Sequence, residues 1–212
     1  MNRLLARAAT IAAAVAAVSC LAGCISLLPK EKPSQLYRFG DTAAASSDAK
    51  AAGQAPRVTV RAAPSSFQRA AAADRILTDT GDQVAYIGGA RWVTNARDLF
   101  DAAVTRAFEG AAGPARLLAQ GEPAPADYVL KLDVRTFEVR YDHGLGSSPK
   151  VVVEIYAALV GHKQNTEGVS RVFRAEAPAS SNAVHAIAAA FDAAVGQTLG
   201  EIVSWTEATA TA

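Results

Sequence analysis

The chain is poor in the residues that build disulfides, metal centres and nucleophilic sites. Its 212 residues include 2 cysteines, and both of them, Cys20 and Cys24, lie near the amino terminus. The rest of the chain therefore has no thiol for a disulfide, a thiolate metal site or a cysteine nucleophile. We expect packing alone to stabilise a domain built from it.

The 3 histidines are also too scattered for a metal centre. His143, His162 and His185 do not form the i, i+4 pair or the tight cluster that zinc ligands usually form. No G-x-S-x-G segment is present to expose a serine nucleophile. We therefore predict no catalytic residue, no metal site and no cofactor.

The chain has no excess of charge of either sign. It contains 21 Lys and Arg residues against 20 Asp and Glu residues, which gives a net charge of +1. It also has no basic cluster with interleaved aromatic residues, the pattern that nucleic-acid binding requires. Nucleic acid is therefore not a predicted partner.

Two turn-like segments carry residues that could suggest chemistry. "HGLGSSPK" has glycines and a lysine, but a phosphate-binding loop needs a helix amino terminus after it, and strands are predicted on both sides. We interpret it as a hairpin turn. Asp79 and Asp82 flank Gly81 and could act as an acid and a base, but turn chemistry alone predicts carboxylates there.

The amino-terminal segment has the features of a secretory signal. Arg3 and Arg7 accompany the run "AATIAAAVAAVSCLAG", which is too short and too rich in alanine for a good membrane span. Its last residues, Leu-Ala-Gly before Cys24, resemble a bacterial lipobox, which implies cleavage there and diacylglycerol and palmitate-type acylation on Cys24. Several acyl chains anchor stably, whereas one chain binds only marginally. The alternative is a plain signal peptide with incidental cysteines.

These features divide the chain into four parts. Residues 1–23 are the expected lipoprotein signal peptide, and residues 24–35 are a proline-containing tether. Residues 36–207 form one domain, in which the small polar residues 40–55 are expected to be a flexible loop. Residues 208–212 are expected to be a disordered tail.

The first half of the domain reads as short strands followed by a helix. "LYRF" predicts a first strand, and the alternation around Val58 and Val60 predicts a second. "RILTDTGDQVAYI" predicts a hairpin. "NARDLFDAAVTRAFEG" has helical spacing, with Asn95 as the expected N-cap and Gly110 near the end.

The second half predicts a three-stranded antiparallel meander and a final helix. In "ADYVLKLDVRTFEVRYD" the apolar set changes phase, which indicates a β-bulge near Arg135 or Thr136. Apolar residues at steps of three and four predict a helix from Val184 to Trp205. The predicted fold class is α+β, with a mostly antiparallel sheet packed by two main helices, the C-terminal one long.

Arg91 and Trp92 are the candidate partner-binding residues. They stand beside Gly88 and Gly89 and just before the first helix, and arginine and tryptophan dominate interface hot spots. The alternative for Trp92 is that its ring fills the core, as large aromatic residues usually do.

The segment "VAYIGGARWVTNARDLF" resembles the ABC-type transport auxiliary lipoprotein family, that is, PqiC-like outer-membrane lipoproteins. The resemblance rests on Tyr86, the Arg91-Trp92 pair and the core residues Leu99 and Phe100 of the capped helix. The lipobox, the "LYRF" strand and the long final helix agree with it. The chain departs from the pattern at positions 93 to 95, where a small residue and prolines commonly follow the tryptophan.

The resemblance implies a non-enzymatic, outer-membrane-anchored lipoprotein on the periplasmic face. Its partners would be an MCE-family periplasmic protein and an ABC transporter complex that move lipids between membranes, with further copies of this chain as an additional option. Residue 25 is isoleucine and not the aspartate associated with inner-membrane retention, which favours the outer membrane. Two alternatives stay open: a periplasmic lipid-binding carrier or chaperone, which needs a deep apolar cavity, and a hydrolase, which needs clustered catalytic residues.

Overall fold

The structure is a computed structural model, and it describes residues 33–42, 58–161 and 168–210. The expected signal peptide, Cys20, Cys24, Ile25 and His162 lie outside the described residues, as do most of the expected tether and residues 43–57. The described part contains nine strands and two helices, with these bounds: β1 Gln35–Tyr37, β2 Val58–Ala62, β3 Ser66–Phe67, β4 Arg75–Asp79, β5 Val84–Trp92, α1 Ala96–Gly110, β6 Ala115–Leu117, β7 Tyr128–Arg140, β8 Lys150–Gly161, β9 Val169–Pro178 and α2 Val184–Ala210.

Strand β7 organises the sheet because both of its edges are used. One edge pairs antiparallel with β8, and β8 pairs antiparallel with β9, so the predicted meander is confirmed. The other edge receives β2, β3 and β4 one after another, each in parallel. Strand β4 continues outward to β5 in the predicted antiparallel hairpin.

The sheet is mixed, which corrects the prediction of a mostly antiparallel sheet. Besides the three parallel contacts of β7, strand β1 runs parallel to β5 and β6 runs parallel to β2. The prediction failed here because alternation of apolar residues identifies the buried face of a strand but says nothing about the direction of its neighbour.

Strand β7 contains the predicted bulge. Its pairing with β8 shifts register between Val134 and Thr136. Leu132 and Val134 are buried before the shift, and Phe137 and Val139 are buried after it. The extra residue therefore returns the apolar set to the face that packs against the helices.

Helix α1 has the predicted buried face but not the predicted cap. Phe100, Ala103, Val104, Ala107 and Phe108 are all buried. Asn95 occupies the N-cap position, but its side chain makes no capping hydrogen bond. The N–H of Ala96 donates instead to the carbonyl of Ala73 at 3.1 Å, so the preceding loop satisfies this end of the helix.

Helix α2 covers β8 and β9 with the predicted apolar stripe, and Ile187, Phe191 and Leu199 are almost completely buried. It continues through Ala210, which packs against the core, so residues 208–210 are helical and not a disordered tail. Among the helices that the structure describes, α2 is long and apolar enough to cross a membrane. However, 61% of its apolar window is buried inside the protein, as in a core helix.

An aromatic cluster joins the elements at the centre of the core. Phe39, Trp92, Phe137 and Phe191 are each at most 2% exposed. The Trp92 ring lies 4.9 Å from Phe39 and 5.1 Å from Phe191, both edge to face, and Phe137 lies 4.7 Å from Phe191. The cluster therefore ties the segment after β1, strand β5, strand β7 and helix α2 together.

The first residues of the expected flexible loop are fixed by α2. The Asp192 Oδ1 atom accepts hydrogen bonds from the N–H groups of Gly40 and Asp41 at 2.6 and 2.8 Å, and Asp192 Oδ2 accepts one from the Thr42 hydroxyl. Gly40 has φ +89, and a Cβ there would meet the Ala103 Cβ. Residues 40–42 are therefore held against both helices, which corrects that part of the expected loop.

We expect Phe191→Ala to lower the free energy of unfolding by about 3–5 kcal/mol, because it removes a ring from the aromatic cluster and leaves a cavity. Val172→Ala is the control, since Val172 is 48% exposed, and it should change the free energy by less than about 0.5 kcal/mol. Urea denaturation measures both. Equal effects of the two substitutions would contradict the position of α2.

Candidate functional site

Trp92, one of the two candidate partner-binding residues, lies in the core. Its side chain is 2% exposed, and its ring packs among Phe39, Phe137 and Phe191. The backbone N–H of Trp92 donates to the backbone carbonyl of Asp74 at 2.7 Å. The structure thus supports the core interpretation of Trp92, and its ring is not available to a partner.

Arg91 lies on the opposite face of β5 and is partly exposed. Successive residues of a strand point to opposite faces, so burial of Trp92 directs Arg91 outward. The Arg91 Nη1 atom donates to Asp74 Oδ2 at 2.9 Å, and the two side chains are 42% and 39% exposed. This ion pair holds the guanidinium at the surface of the sheet.

Three further residues surround Arg91. Leu36 of β1 and Arg75 of β4 are its direct neighbours in the sheet, and Leu36 is 62% exposed. The Arg75 guanidinium lies 4.6 Å above the ring of Tyr86, and the Tyr86 hydroxyl donates to the carbonyl of Ala70 at 3.0 Å. We call Leu36, Arg75, Tyr86 and Arg91 together the Arg91 surface.

A register shift in the β4–β5 hairpin creates the Arg91 surface. Leu77 pairs with Tyr86 and Arg75 pairs with Arg91, so β5 has extra residues between its two contacts. Gly89 lies in this insertion with φ +71, a backbone conformation that favours glycine. The Gly-Gly pair was the sequence signal for the insertion. It did not reveal that Tyr86 and Arg91 would both adjoin Arg75.

Charged side chains of β8 and β9 form a group of ion pairs. Lys150 contacts Glu176 at 2.9 Å, and Arg174 contacts Glu176 at 2.7 Å and Glu154 at 3.1 Å. Hydrogen bonds from Arg174 and Lys150 lower the pKa of Glu176, so its carboxylate is held ionised. A carboxylate with a lowered pKa and two cationic partners is suited to holding strands together.

The turn residues behave as turn chemistry predicts. Asp79 Oδ1 accepts a hydrogen bond from the N–H of Gly81 at 2.7 Å, and the segment around Gly144 connects β7 directly to β8. Within residues 33–42, 58–161 and 168–210, no three histidine, cysteine, aspartate or glutamate side chains are placed to hold a metal ion.

Two cavities open on the surface of the described part of the chain. The larger, about 760 Å³, is an open groove between β9 and α2, and Phe173 and Trp205 lie in its wall. The smaller, about 290 Å³, lies beside α1 and includes Arg61 and Asp101. The space between the sheet and the helices is filled by the aromatic cluster and the apolar side chains around it.

Comparisons with known proteins agree with the fold. A crystal structure of a Xanthomonas campestris protein of the DUF330 family is 32% identical, covers 74% of this chain and 88% of its own chain, and has a TM-score of 0.65. The crystal structure of an uncharacterised protein has a TM-score of 0.63 at 13% identity, over 82% of this chain and 99% of its own. A search of curated proteins finds no match.

The family itself is identified from the sequence. Residues 37–203 match the family described as ABC-type transport auxiliary lipoprotein component. The matched range runs from the end of β1 into α2. It includes the whole aromatic cluster and every residue of the Arg91 surface except Leu36. This chain therefore belongs to the ABC-type transport auxiliary lipoprotein family.

Proposed function

We propose that the chain is an outer-membrane-anchored lipoprotein on the periplasmic face, a non-enzymatic auxiliary component of an MCE and ABC-type system that moves lipids between the inner and outer membranes. The family match over residues 37–203 is the observation that carries this proposal. The Leu-Ala-Gly-Cys sequence ending at Cys24 supports the lipid anchor, and Ile25 supports outer-membrane sorting.

The Arg91 surface is the proposed docking site for the MCE-type partner. Arg75 and Arg91 lie side by side in the sheet, an arrangement of like charges that is unfavourable by itself. Asp74 neutralises one of them, which leaves a net positive patch beside the exposed Tyr86 and Leu36. Arginine and tyrosine dominate binding hot spots, so we infer an acidic, partly apolar surface on the partner.

A filled interior favours docking over the alternative of a lipid-binding carrier. A carrier needs a deep apolar cavity for an acyl chain. The described core is instead closed by Phe39, Trp92, Phe137 and Phe191, and the two cavities lie at the surface. Binding of a fluorescent fatty acid by the purified chain would favour the carrier.

The lipid anchor is tested by labelling cells with radioactive or clickable palmitate. We expect Cys24→Ser to abolish labelling and to leave precursor or soluble protein, because acylation needs that thiol. Cys20→Ser is the matched control and should be labelled normally, since Cys20 leaves with the signal peptide. Continued labelling of the Cys24→Ser protein would refute the anchor.

Docking is tested by co-purification of the MCE-type partner together with thermal melting. We expect Arg91→Ala to reduce partner recovery at least roughly tenfold, the loss expected of a hot-spot arginine, with little change in melting. An exposed ion pair contributes only about 0–1 kcal/mol to stability. Trp92→Ala should instead lower the free energy of unfolding by about 3–5 kcal/mol, so that the domain melts at a much lower temperature.

Arg135→Ala is the matched control for Arg91→Ala. Arg135 also pairs with an exposed aspartate, Asp133 at 3.2 Å, and its guanidinium also lies over a tyrosine ring, Tyr156 at 4.4 Å. We expect it to leave partner recovery unchanged. Equal recovery with Arg91→Ala and Arg135→Ala would show that the partner does not dock on the Arg91 surface.

A further inference from the structure

Strand β9 is a long, regular strand with a free edge. It pairs with β8 continuously from Val169 to Pro178, and no other strand in the described part of the chain pairs with it. The backbone N–H and C=O groups on the free edge of a sheet are ready to pair with another extended chain.

A groove runs beside this free edge. It lies between β9 and α2 and has a volume of about 760 Å³. In its wall the half-buried Trp205 packs edge to face against Phe173 at 5.6 Å, and Phe173 itself is only 3% exposed. Its helical wall is built from small residues one or two turns apart: Ala193, Gly196, Gly200, Ser204 and Ala208. Alternate side chains of a strand added to β9 would point into this groove.

At Gly200 no side chain projects from α2 into the groove. A Cβ at this position would meet no atom within 4 Å, so packing within the described chain does not require glycine there. Glycine in the interior of a helix destabilises it by about 0.5–1 kcal/mol relative to alanine. The position thus loses stability without a gain in packing, and it leaves room for a group from outside.

Arg171 places a positive charge at one end of the groove. Its guanidinium lies 5.1 Å from the ring of Phe173, and among the described residues it forms no salt bridge. Glu201, the acidic residue of the groove, already accepts a hydrogen bond from Gln197 at 3.2 Å. The groove therefore offers a cation to a ligand carboxylate next to an aromatic surface.

We propose that the β9 edge and this groove bind an extended segment of a partner protein. The segment adds a strand to β9, places an apolar side chain against Trp205, and sets a carboxylate beside Arg171. An exposed strand edge next to a helix is a known arrangement for peptide binding, in which backbone hydrogen bonds give affinity and adjacent pockets give specificity. This site is separate from the Arg91 surface and does not depend on the lipid anchor.

The probe is a fluorescein-labelled peptide of about eight residues, the length that pairs with one strand, alternating valine and threonine and ending in aspartate. Fluorescence anisotropy measures its binding to the full chain in detergent. We expect saturable binding. The same peptide with N-methyl groups on alternate residues should bind at least roughly tenfold more weakly, because it loses several backbone hydrogen bonds.

Substitutions at three positions locate the site. Gly200→Trp should abolish peptide binding without lowering the melting temperature, because it fills the groove from a position where a Cβ meets no atom. Gly146→Trp is the matched control, since a Cβ at Gly146, in the β7–β8 turn, also meets nothing, and it should bind normally. Arg171→Glu should weaken binding, and Arg171→Lys should largely restore it.

Five outcomes overturn the proposal. If the peptide shows no saturable binding at millimolar protein, or if the N-methylated peptide binds equally well, the peptide does not add a strand to β9. If the Gly200→Trp variant binds the peptide normally, the groove is not part of the binding site. Self-association of the chain that Gly200→Trp abolishes assigns the edge to a second copy. If the peptide binds only after residues 44–56 are deleted, the β9 edge binds that segment of this chain and not a partner.

Discussion

The mutual burial of Phe39, Trp92, Phe137 and Phe191 is the interaction on which the rest of the structure depends. These rings come from the segment after β1, from β5, from β7 and from α2, which are distant in sequence. Their burial fixes which face of β5 points inward. Because Trp92 is inside, Arg91 is outside, and the exposed charge of the proposed docking site follows from the composition of the core.

Strand β7 connects the aromatic cluster to the rest of the sheet. Its bulge after Val134 keeps both halves of the strand facing the helices, so a strand of 13 residues can carry β8 on one edge and three short parallel strands on the other. The two proposed binding sites lie on opposite sides of this arrangement. The Arg91 surface belongs to the β4–β5 hairpin, and the groove belongs to the outer edge of the β7–β8–β9 meander. If both proposed sites are occupied, they do not overlap in the sheet.

Local patterns in the sequence were enough to predict much of this fold. Alternation predicted the inward faces of β2 and β7, the phase slip predicted the bulge, and the apolar stripe predicted α2. Contacts between distant residues were not predictable in the same way. Nothing near Gly40 indicates that Asp192 binds its N–H group, and nothing near Tyr86 indicates that Arg75 lies over its ring. For the same reason Trp92 could be assigned to the core or to an interface until its neighbours were known.

Docking of the MCE-type partner on the Arg91 surface can be tested in the cell. The most direct measurement is photo-crosslinking in living cells with a photoreactive phenylalanine analogue at Tyr86 or at Tyr156. Both tyrosines lie under an arginine guanidinium, at 4.6 and 4.4 Å, but Tyr86 is on the Arg91 surface and Tyr156 is on β8. We predict a crosslink to the MCE-type protein from position 86 and none from position 156. A crosslink from position 156 alone, or equal crosslinks from both, would contradict the account.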